Sequence, residues 1–279
     1  MKLSPLMLEE FAFYLKTEEK SPATQEKYLR DVRAFGLYAG GGELTKELVV
    51  AWKKELVSRN YAVGSVNSML AGVNCLLSFL GKDECRVKIL RTQRRIYCPE
   101  DRELTKAEYQ RLLAAAGSNE QLKLLLQTIC GTGIRVSELR YFTVEAVRRG
   151  EITVDCKSKC RRILIPGKLR SALLRYAGQN RIAHGTIFLG RNGNPLDRSS
   201  IWRRMKQLCA AAGVKESKVF PHNLRKLFAR TFYSLEKDIA KLADILGHSS
   251  VNTTRIYLMS TGSEHRRMIE RLGLVTISP

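Results

Sequence analysis

Apolar residues recur every three to four positions along most of the chain, the signature of amphipathic helices. Residues 5–16 (PLMLEEFAFYLK) predict a first helix. Ser21 and Pro22 open a second, with serine as N-cap and proline at the first helical position, where its missing N–H is not needed. Tyr28, Val32 and Phe35 share one face of it, and Gly40-Gly41-Gly42 breaks the run. Thr45 caps a third helix, with Leu44 and Val49 spaced as a hydrophobic staple. Val66, Met69, Leu70, Val73, Leu76, Leu77 and Leu80 form the clearest stripe, closed by Gly81. Four short helices over residues 1–82 predict a small bundle that buries its own apolar faces. Such a bundle alone says nothing about function.

Periodicity lapses over residues 83–102, a basic linker carrying Arg86, Lys88, Arg91, Arg94 and Arg95. It resumes at Leu104-Thr105-Lys106-Ala107-Glu108, a capping box with its staple residue. A helix to Gly117 and a strongly apolar one from Leu122 to Cys130 follow, the latter ending at Gly131-Thr132-Gly133. Glu151–Val154 and Arg162–Ile165 are rich in β-branched residues and flank the basic run from Asp155 to Arg161, which predicts a β-hairpin with a basic tip. A helix over 168–177, a short strand at Thr186–Leu189 and a turn at Arg191–Pro195 come next. Ile201, Trp202, Met205, Leu208, Cys209 and Ala212 then mark an apolar helix face opposite Arg203, Arg204 and Lys206. Further helices are predicted over Asp238–Leu246, ended by Gly247, from Asn252, and over Glu264–Leu274, where Met268, Ile269 and Leu272 share a face. The fold class is therefore mainly α with a small β-sheet in a C-terminal domain, residues 103–279.

Charge changes the picture. The net charge is +21, from 48 Lys and Arg against 27 Asp and Glu, spread over the whole chain. A basic surface can serve solubility alone, but this excess favours a polyanionic partner, with nucleic acid the default. The linker then either stands solvated or lies along phosphates, adding affinity without sequence information. Arg203 and Arg204 sit on a helix suited either to a DNA groove or to an ordinary surface. The seven cysteines (75, 85, 98, 130, 156, 160 and 209) are odd in number, and no run is apolar enough to span a membrane. A reduced, cytoplasmic protein without membrane contact is expected. Cys156 and Cys160 lack a second pair, so no metal site is expected.

The densest chemistry lies in 220–257, FPHNLRKLFARTFYSLEKDIAKLADILGHSSVNTTRIY. Displacement at phosphorus spreads charge over the non-bridging oxygens, which a guanidinium fork can hold in pairs. An imidazole can donate a hydrogen bond or move a proton near neutral pH. A phenol is a poor nucleophile in water, but arginines beside it favour phenolate and replace a metal ion. His222 and Arg225, three apart, His248 and Tyr257 supply these groups. Each alone has a plain reading: His248 as a histidine at a helix C-terminus, Tyr257 as a packed aromatic, Arg135 as an ion-pair partner of Glu138 three residues on.

Taken together, GTGIRVSELR (131–140), PHNLR (221–225), LGHSS (246–250) and TTRIYL (253–258) resemble the tyrosine recombinases, the lambda-integrase, Cre and Xer family. The intervals of 23 residues from Arg225 to His248 and nine more to Tyr257 resemble Xer-type members. The resemblance implies a catalytic set of Arg135, Lys157, His222, Arg225, His248 and Tyr257, with Glu138 supporting Arg135. It makes Tyr257 the nucleophile of a 3′-phosphotyrosyl intermediate and Lys157 the general acid on the hairpin. Lys159 competes for that role, and a hairpin lysine that only touches a DNA phosphate is the alternative. Arg91, Arg94, Arg95, Lys159, Arg161, Arg203 and Arg204 become candidate contacts to double-stranded DNA. The N-terminal bundle becomes a core-binding (SAM-like) domain, and the tail helix a docking element for a neighbouring protomer.

The resemblance further implies four protomers in a synaptic complex acting through a Holliday junction, with accessory DNA-bending or directionality proteins and no cofactor. Lys226 departs from the histidine that many relatives carry after the arginine, but the six catalytic positions are intact. No extra domain is expected before Leu8, and a two-domain enzyme acting on core sites is the expectation. A type IB topoisomerase shares the chemistry without the exchange. A DNA-binding regulator that has lost the reaction would have no need for the phenol.

Overall fold

The computed structural model describes residues 4–91, 99–156, 159–190, 192–259 and 261–274, without the side chains of Glu100, Asp155, Cys156, Lys159 and Cys160. Arg94, Arg95 and Lys157 lie outside the described residues. The chain forms two compact units, Met1–Arg94 and Arg95–Pro279.

The first unit holds α1 (Pro5–Thr17), α2 (Pro22–Ala39), α3 (Lys46–Ser58) and α4 (Val63–Phe79). Thr45 caps α3 by accepting from the Leu48 amide at 3.3 Å, and Leu44 and Val49 are both buried. Ser21 precedes α2 but accepts no backbone N–H; its hydroxyl meets Thr24 Oγ1 at 2.8 Å instead. Phe35 packs on Trp52 with ring centroids 5.0 Å apart, and Val66, Leu70, Val73 and Leu77 complete the core around them. The segment after α4 is less free than its lost periodicity predicts. Cys85 and Val87 are buried, and two asparagines of α4 grip the backbone beyond. Asn74 exchanges hydrogen bonds with Val87 (2.9 and 3.1 Å), and Asn67 does the same with Leu90 (2.9 and 2.7 Å). An amide side chain matches both backbone groups of an extended residue, which satisfies them as a neighbouring strand would. Residues 83–91 thus belong to the first unit, with Arg91 exposed at their end.

The second unit begins with α5 (Lys106–Ala115), closed by the predicted Thr105–Glu108 capping box, and continues through α6 (Glu120–Thr132) and α7 (Val144–Arg149). Strands β1 (Glu151–Cys156) and β2 (Lys159–Leu164) pair antiparallel, Glu151 opposite Leu164 and Val154 opposite Arg161. Then come α8 (Gly167–Gln179), α9 (Arg198–Ala212), α10 (Pro221–Glu236), α11 (Ile239–Leu246), α12 (Val251–Tyr257) and α13 (Gly262–Glu270). α6 is buried on several sides through Leu122, Leu124, Leu125, Leu126 and Ile129, and it packs against α10 and α8. The described sheet has two strands. Thr186–Leu189 does not add a third: it makes isolated bridges, Thr143 to Thr186 and Leu189 to Pro195, so no ladder propagates. Trp202 also departs from expectation. It lies at the edge of the buried stripe of α9, half exposed, with Lys206 Nζ 5.1 Å from its ring centroid.

Two glycines fix tight turns at the ends of α6 and α11. Gly133 ends α6 at φ +63°, and a Cβ there would meet Phe228 at 2.4 Å. Gly247 ends α11 at φ +62°, where a Cβ would meet Arg161 Cδ at 2.7 Å. Both positions need a left-handed backbone and a close neighbour, which glycine alone supplies without strain.

Candidate active site

Helix ends build the site. Pro221 starts α10 with φ already set for a helix, so His222 and Arg225 emerge one turn apart from its first residues. α11 stops at Gly247 and delivers His248. Ser250 caps the short α12, accepting from the Asn252 amide at 3.2 Å, and Tyr257 is its last residue. The C-terminal carbonyls of α6 and α11 point into the same region, and cations are favoured there.

Three arginines gather on those carbonyls. Arg225, 1% exposed, donates from Nη1 to the Gly133 carbonyl at 2.5 Å and from Nη2 to that of Leu246 at 2.6 Å. Its buried Nε finds no partner among the described residues. Arg161 donates to the same Leu246 carbonyl from Nη1 and to Glu138 Oε2 from Nη2 at 2.6 Å. Arg135 donates to Glu138 Oε1 at 3.0 Å and to the Gly247 carbonyl at 3.1 Å, and its own amide reaches Glu138 Oε2 at 2.7 Å. Glu138 is itself buried. The ion pair that sequence spacing predicts between Arg135 and Glu138 is present, and it orients a guanidinium whose side chain stays 40% exposed.

The aromatic groups lie beside this cluster. The Tyr257 ring packs against the imidazoles of both His222 and His248, at centroid distances of 4.9 and 5.0 Å. Its hydroxyl is 3.5 Å from His222 Nδ1, and Arg225 Cζ lies 5.9 Å from its ring centroid. His248 Nε2 is 3.0 Å from Arg225 Nη2, and its Nδ1 is 2.9 Å from Thr254 Oγ1. A guanidinium can only donate, so Nε2 accepts; the ring proton therefore sits on Nδ1 and is donated to the threonine. Burial, then the charges of Arg225 and Arg135, pull the His248 pKa down to about 4. Burial and Arg225 also hold His222 below its ordinary value. Burial and the charge of Arg135 bring the Arg225 guanidinium down to about 10. Both histidines are thus neutral at pH 7, beside guanidiniums that repel any further positive charge. Such an array can hold the oxygens of an anion and sits against a phenol.

Arg135, His222, Arg225, His248, Tyr257 and Glu138 are thus brought together, while Lys157 lies outside the described residues. Of the predicted DNA contacts, Arg91 and Arg203 are exposed. Arg204 turns toward α6, donating to Gln121 Oε1 at 2.5 Å. Arg161 faces inward, only 9% exposed, rather than outward as a contact to DNA would. Among the described residues no group of three or more His, Cys, Asp or Glu is placed to hold a metal ion. No described helix is long and apolar enough to cross a membrane.

Residues 102–264 match the model of the Phage integrase family. The chain belongs to this family. It is a site-specific tyrosine recombinase, an enzyme that breaks and rejoins DNA. Tyrosine recombinase XerC of Roseiflexus castenholzii is 30% identical over 279 residues, covering 90% of this chain and 87% of that protein. Tyrosine recombinase XerA of Pyrococcus furiosus is 28% identical over 277 residues, covering 96% and 94%. A crystal structure of XerA recombinase aligns over 97% of this chain and 99% of that one, at 26% identity and a TM-score of 0.55. A lambda integrase dimer bound to a COC′ core site shares the fold, with a TM-score of 0.74 at 17% identity over 92% of this chain and 95% of that one.

Two groups in the recombinase's site escape sequence reasoning. Thr254 shares the buried face of α12 with Tyr257, three residues on, and so meets His248. Its helical spacing from the tyrosine was the available signal. Arg161 lies two and four residues before the core residues Ile163 and Ile165, and strand alternation puts it on their side.

Proposed function

We propose that Tyr257 is the nucleophile of this recombinase. Its Oη attacks the scissile phosphate, a phosphotyrosyl bond forms at the 3′ end, and the bond to the 5′ oxygen breaks. Arg135 and Arg225 hold the non-bridging oxygens, assisted by His248. His222, with Nδ1 at 3.5 Å from the phenol, positions the phosphate and takes part in proton transfer. Lys157, which follows the last residue of β1 in the sequence, gives the leaving 5′ oxygen its proton; Lys159 is its competitor. In the second half the 5′ hydroxyl of a partner strand attacks the phosphotyrosine and releases Tyr257. The protein link conserves the bond, so the scheme consumes no nucleotide. The observation that carries this reading is the packing of the Tyr257 ring against both imidazoles and the Arg225 guanidinium.

The substrate is duplex DNA and the working assembly a homotetramer on two sites. Likeness to a lambda integrase tetramer bound to a Holliday junction, and to XerH bound to its difH substrate, supports this assignment. Met268, Ile269 and Leu272 on and just beyond α13 are more than half exposed, an apolar surface suited to a neighbouring protomer. Truncation after Ser260 should therefore abolish assembly on paired sites and spare binding by one protomer; unaffected assembly would refute it. Partner proteins or the arrangement of sites set any directionality.

The deciding test is a denaturant-resistant protein–DNA adduct, sought with wild type and Tyr257→Phe on host or randomised DNA, followed by sequencing of the attached strand. An adduct lost in the variant fixes the nucleophile and reveals the site. One that persists assigns the reaction to another tyrosine. Exchange between two marked duplexes separates recombination from simple relaxation.

A further inference from the structure

We infer that Arg161 is a positioning residue of this active site, holding Glu138 and the end of α11 in the arrangement that sets Arg135, Arg225 and His248. The inference rests on the catalytic roles proposed above. Arg161 lies in a basic run where an outward, phosphate-facing side chain would be ordinary. Its neighbours Arg162 and Leu164 do face outward. Arg161 alternates with them, shares the inner face with the buried Ile163 and Ile165, and is 9% exposed. Taking a guanidinium out of water is costly unless its donors are matched closely.

Its fork spans two structures that each carry part of the site. One arm ends on Glu138 Oε2, the carboxylate that also accepts from the amide and Nη1 of Arg135. The other ends on the Leu246 carbonyl, which also accepts from Arg225 Nη2 at 2.6 Å, two residues before His248. The joint is built closely: a Cβ at Gly247 would come within 2.7 Å of Arg161 Cδ. Gly247 therefore lets the chain turn and lets Arg161 pass, while its carbonyl receives Arg135. Without the fork, Glu138 is tied to the end of α11 only through the half-exposed Arg135 and the Gly247 carbonyl, and the direct tie to the Leu246 carbonyl that Arg225 shares is lost. A lysine could satisfy one arm but not both, because a single ammonium lacks the rigid spread of the guanidinium. The charge of Arg161 also helps to hold down the pKa values of His248 and Arg225, so its removal changes the site's titration as well as its shape.

The test uses full-length wild type, Arg161→Gln, Arg161→Lys and, as an outward-facing control, Arg162→Gln. The substrate is a duplex bearing the sequence recovered from the wild-type adduct, nicked so that cleavage cannot reverse. Affinity, its salt dependence and the single-turnover rate at saturating DNA are measured from pH 5 to 8. Misplacing groups that surround a reacting phosphate is costly, so Arg161→Gln should cleave about 100-fold more slowly at saturation. Its affinity should stay within about threefold, with an unchanged salt slope, because no phosphate contact is lost. Its pH–rate profile should shift upward on the acidic limb as His248 gains its proton more readily. Arg161→Lys should recover the profile but less than a tenth of the lost rate. If Arg161→Gln does not fold, the lysine variant decides alone, by its rate at saturation. Weakened affinity with a shallower salt slope and an intact rate would make Arg161 a DNA contact and overturn the inference. So would a lysine variant as fast as wild type. Failure of wild type to form any Tyr257-dependent adduct would instead overturn the catalytic reading, which the Arg161 variants leave untouched.

Discussion

Thr254→Val isolates one hydrogen bond at the centre of the site. Thr254 is fully buried, and valine has its shape and branching, so the substitution removes an acceptor and little else. What it deprives is His248 Nδ1, 2.9 Å away, which carries the ring proton because Arg225 Nη2 occupies Nε2 as a donor at 3.0 Å. The imidazole cannot escape by changing tautomer, since an Nε2–H would face a guanidinium. An unsatisfied buried donor costs about 1–3 kcal/mol, and the half-buried ring places this one near the low end. At about 1.5 kcal/mol, the unfolding midpoint should drop by roughly 3–6 °C in a domain of this size. Where the ring turns away to find water, the same free energy appears as about tenfold slower single-turnover adduct formation at saturating DNA. Thr254→Ser keeps the acceptor and should restore most of both. A valine variant that cleaves within twofold of wild type, with His248 still neutral and protonated at Nδ1 by nitrogen NMR, would refute the reasoning.

Gly133→Ala places a methyl at φ +63° and within 2.4 Å of the Phe228 ring, so left-handed strain and overpacking together should cost about 2–4 kcal/mol by denaturant unfolding. A loss below about 0.5 kcal/mol would show that α10 yields freely there. His222 is held below its ordinary value and His248 near 4, against about 6.5 for an unperturbed histidine, so the unfolded chain takes these protons before the folded one does. The thermal midpoint should therefore fall as the pH drops from 7 toward 5. Glu108 and Glu264 do not contribute in that window: burial pushes both up, but bonds from Lys218 and Thr105, and from Thr261 and Arg230, hold them below 4.5. A midpoint flat from pH 7 to 5 would contradict the depressed histidines. Asn74→Ala strips both bonds from Val87, about 1–3 kcal/mol, and should speed hydrogen exchange at Val87 and its neighbours without reaching the core of α4. Unchanged protection would mean that buried Cys85 and Val87 hold the segment without it.

The local rules made much of this chain readable. The Thr105–Glu108 box, the Thr45 cap and the glycine ends at 133 and 247 follow from backbone groups that a helix end leaves unpaired, and these are written in adjacent residues. The conjunction of His222, Arg225, His248 and Tyr257 was legible from spacing, because two of them share one helix start and the others close two consecutive short helices. Thr186–Leu189 was not legible: its residues suit a strand, but strand formation depends on a partner distant in sequence, and only single bridges form. The embedding of residues 83–91 rests on Asn67 and Asn74, polar positions inside an apolar stripe whose purpose appears only with the segment they bind. The inward face of Arg161 is hidden in the sequence because its basic neighbours suggest an outward row, whereas its register with Ile163 and Ile165 places it inside. A strand's alternation outranks composition when one face is the core.

Charge compensation explains the site's choice of residues. Arg135, Arg161 and Arg225 stand together, with Glu138 paired directly to two of them. Arg225 also meets His248 Nε2, and other bonds end on carbonyls of Gly133, Leu246 and Gly247, which satisfy donor geometry yet neutralise only about half a unit of charge at a helix end. Burial first, and then this surplus, depresses the pKa values of His222, His248 and Arg225. On the proposed reading, that surplus matches a phosphate whose negative charge grows toward the transition state, so the cluster is better compensated there than in the free protein. A fourth fixed cation in the place of His248 would deepen the repulsion at every stage. An imidazole avoids this, because it stays neutral until an anion nearby raises its pKa. DNA binding should then carry proton uptake below pH 7, and Tyr257→Phe, which removes attack but not the phosphate, should retain it.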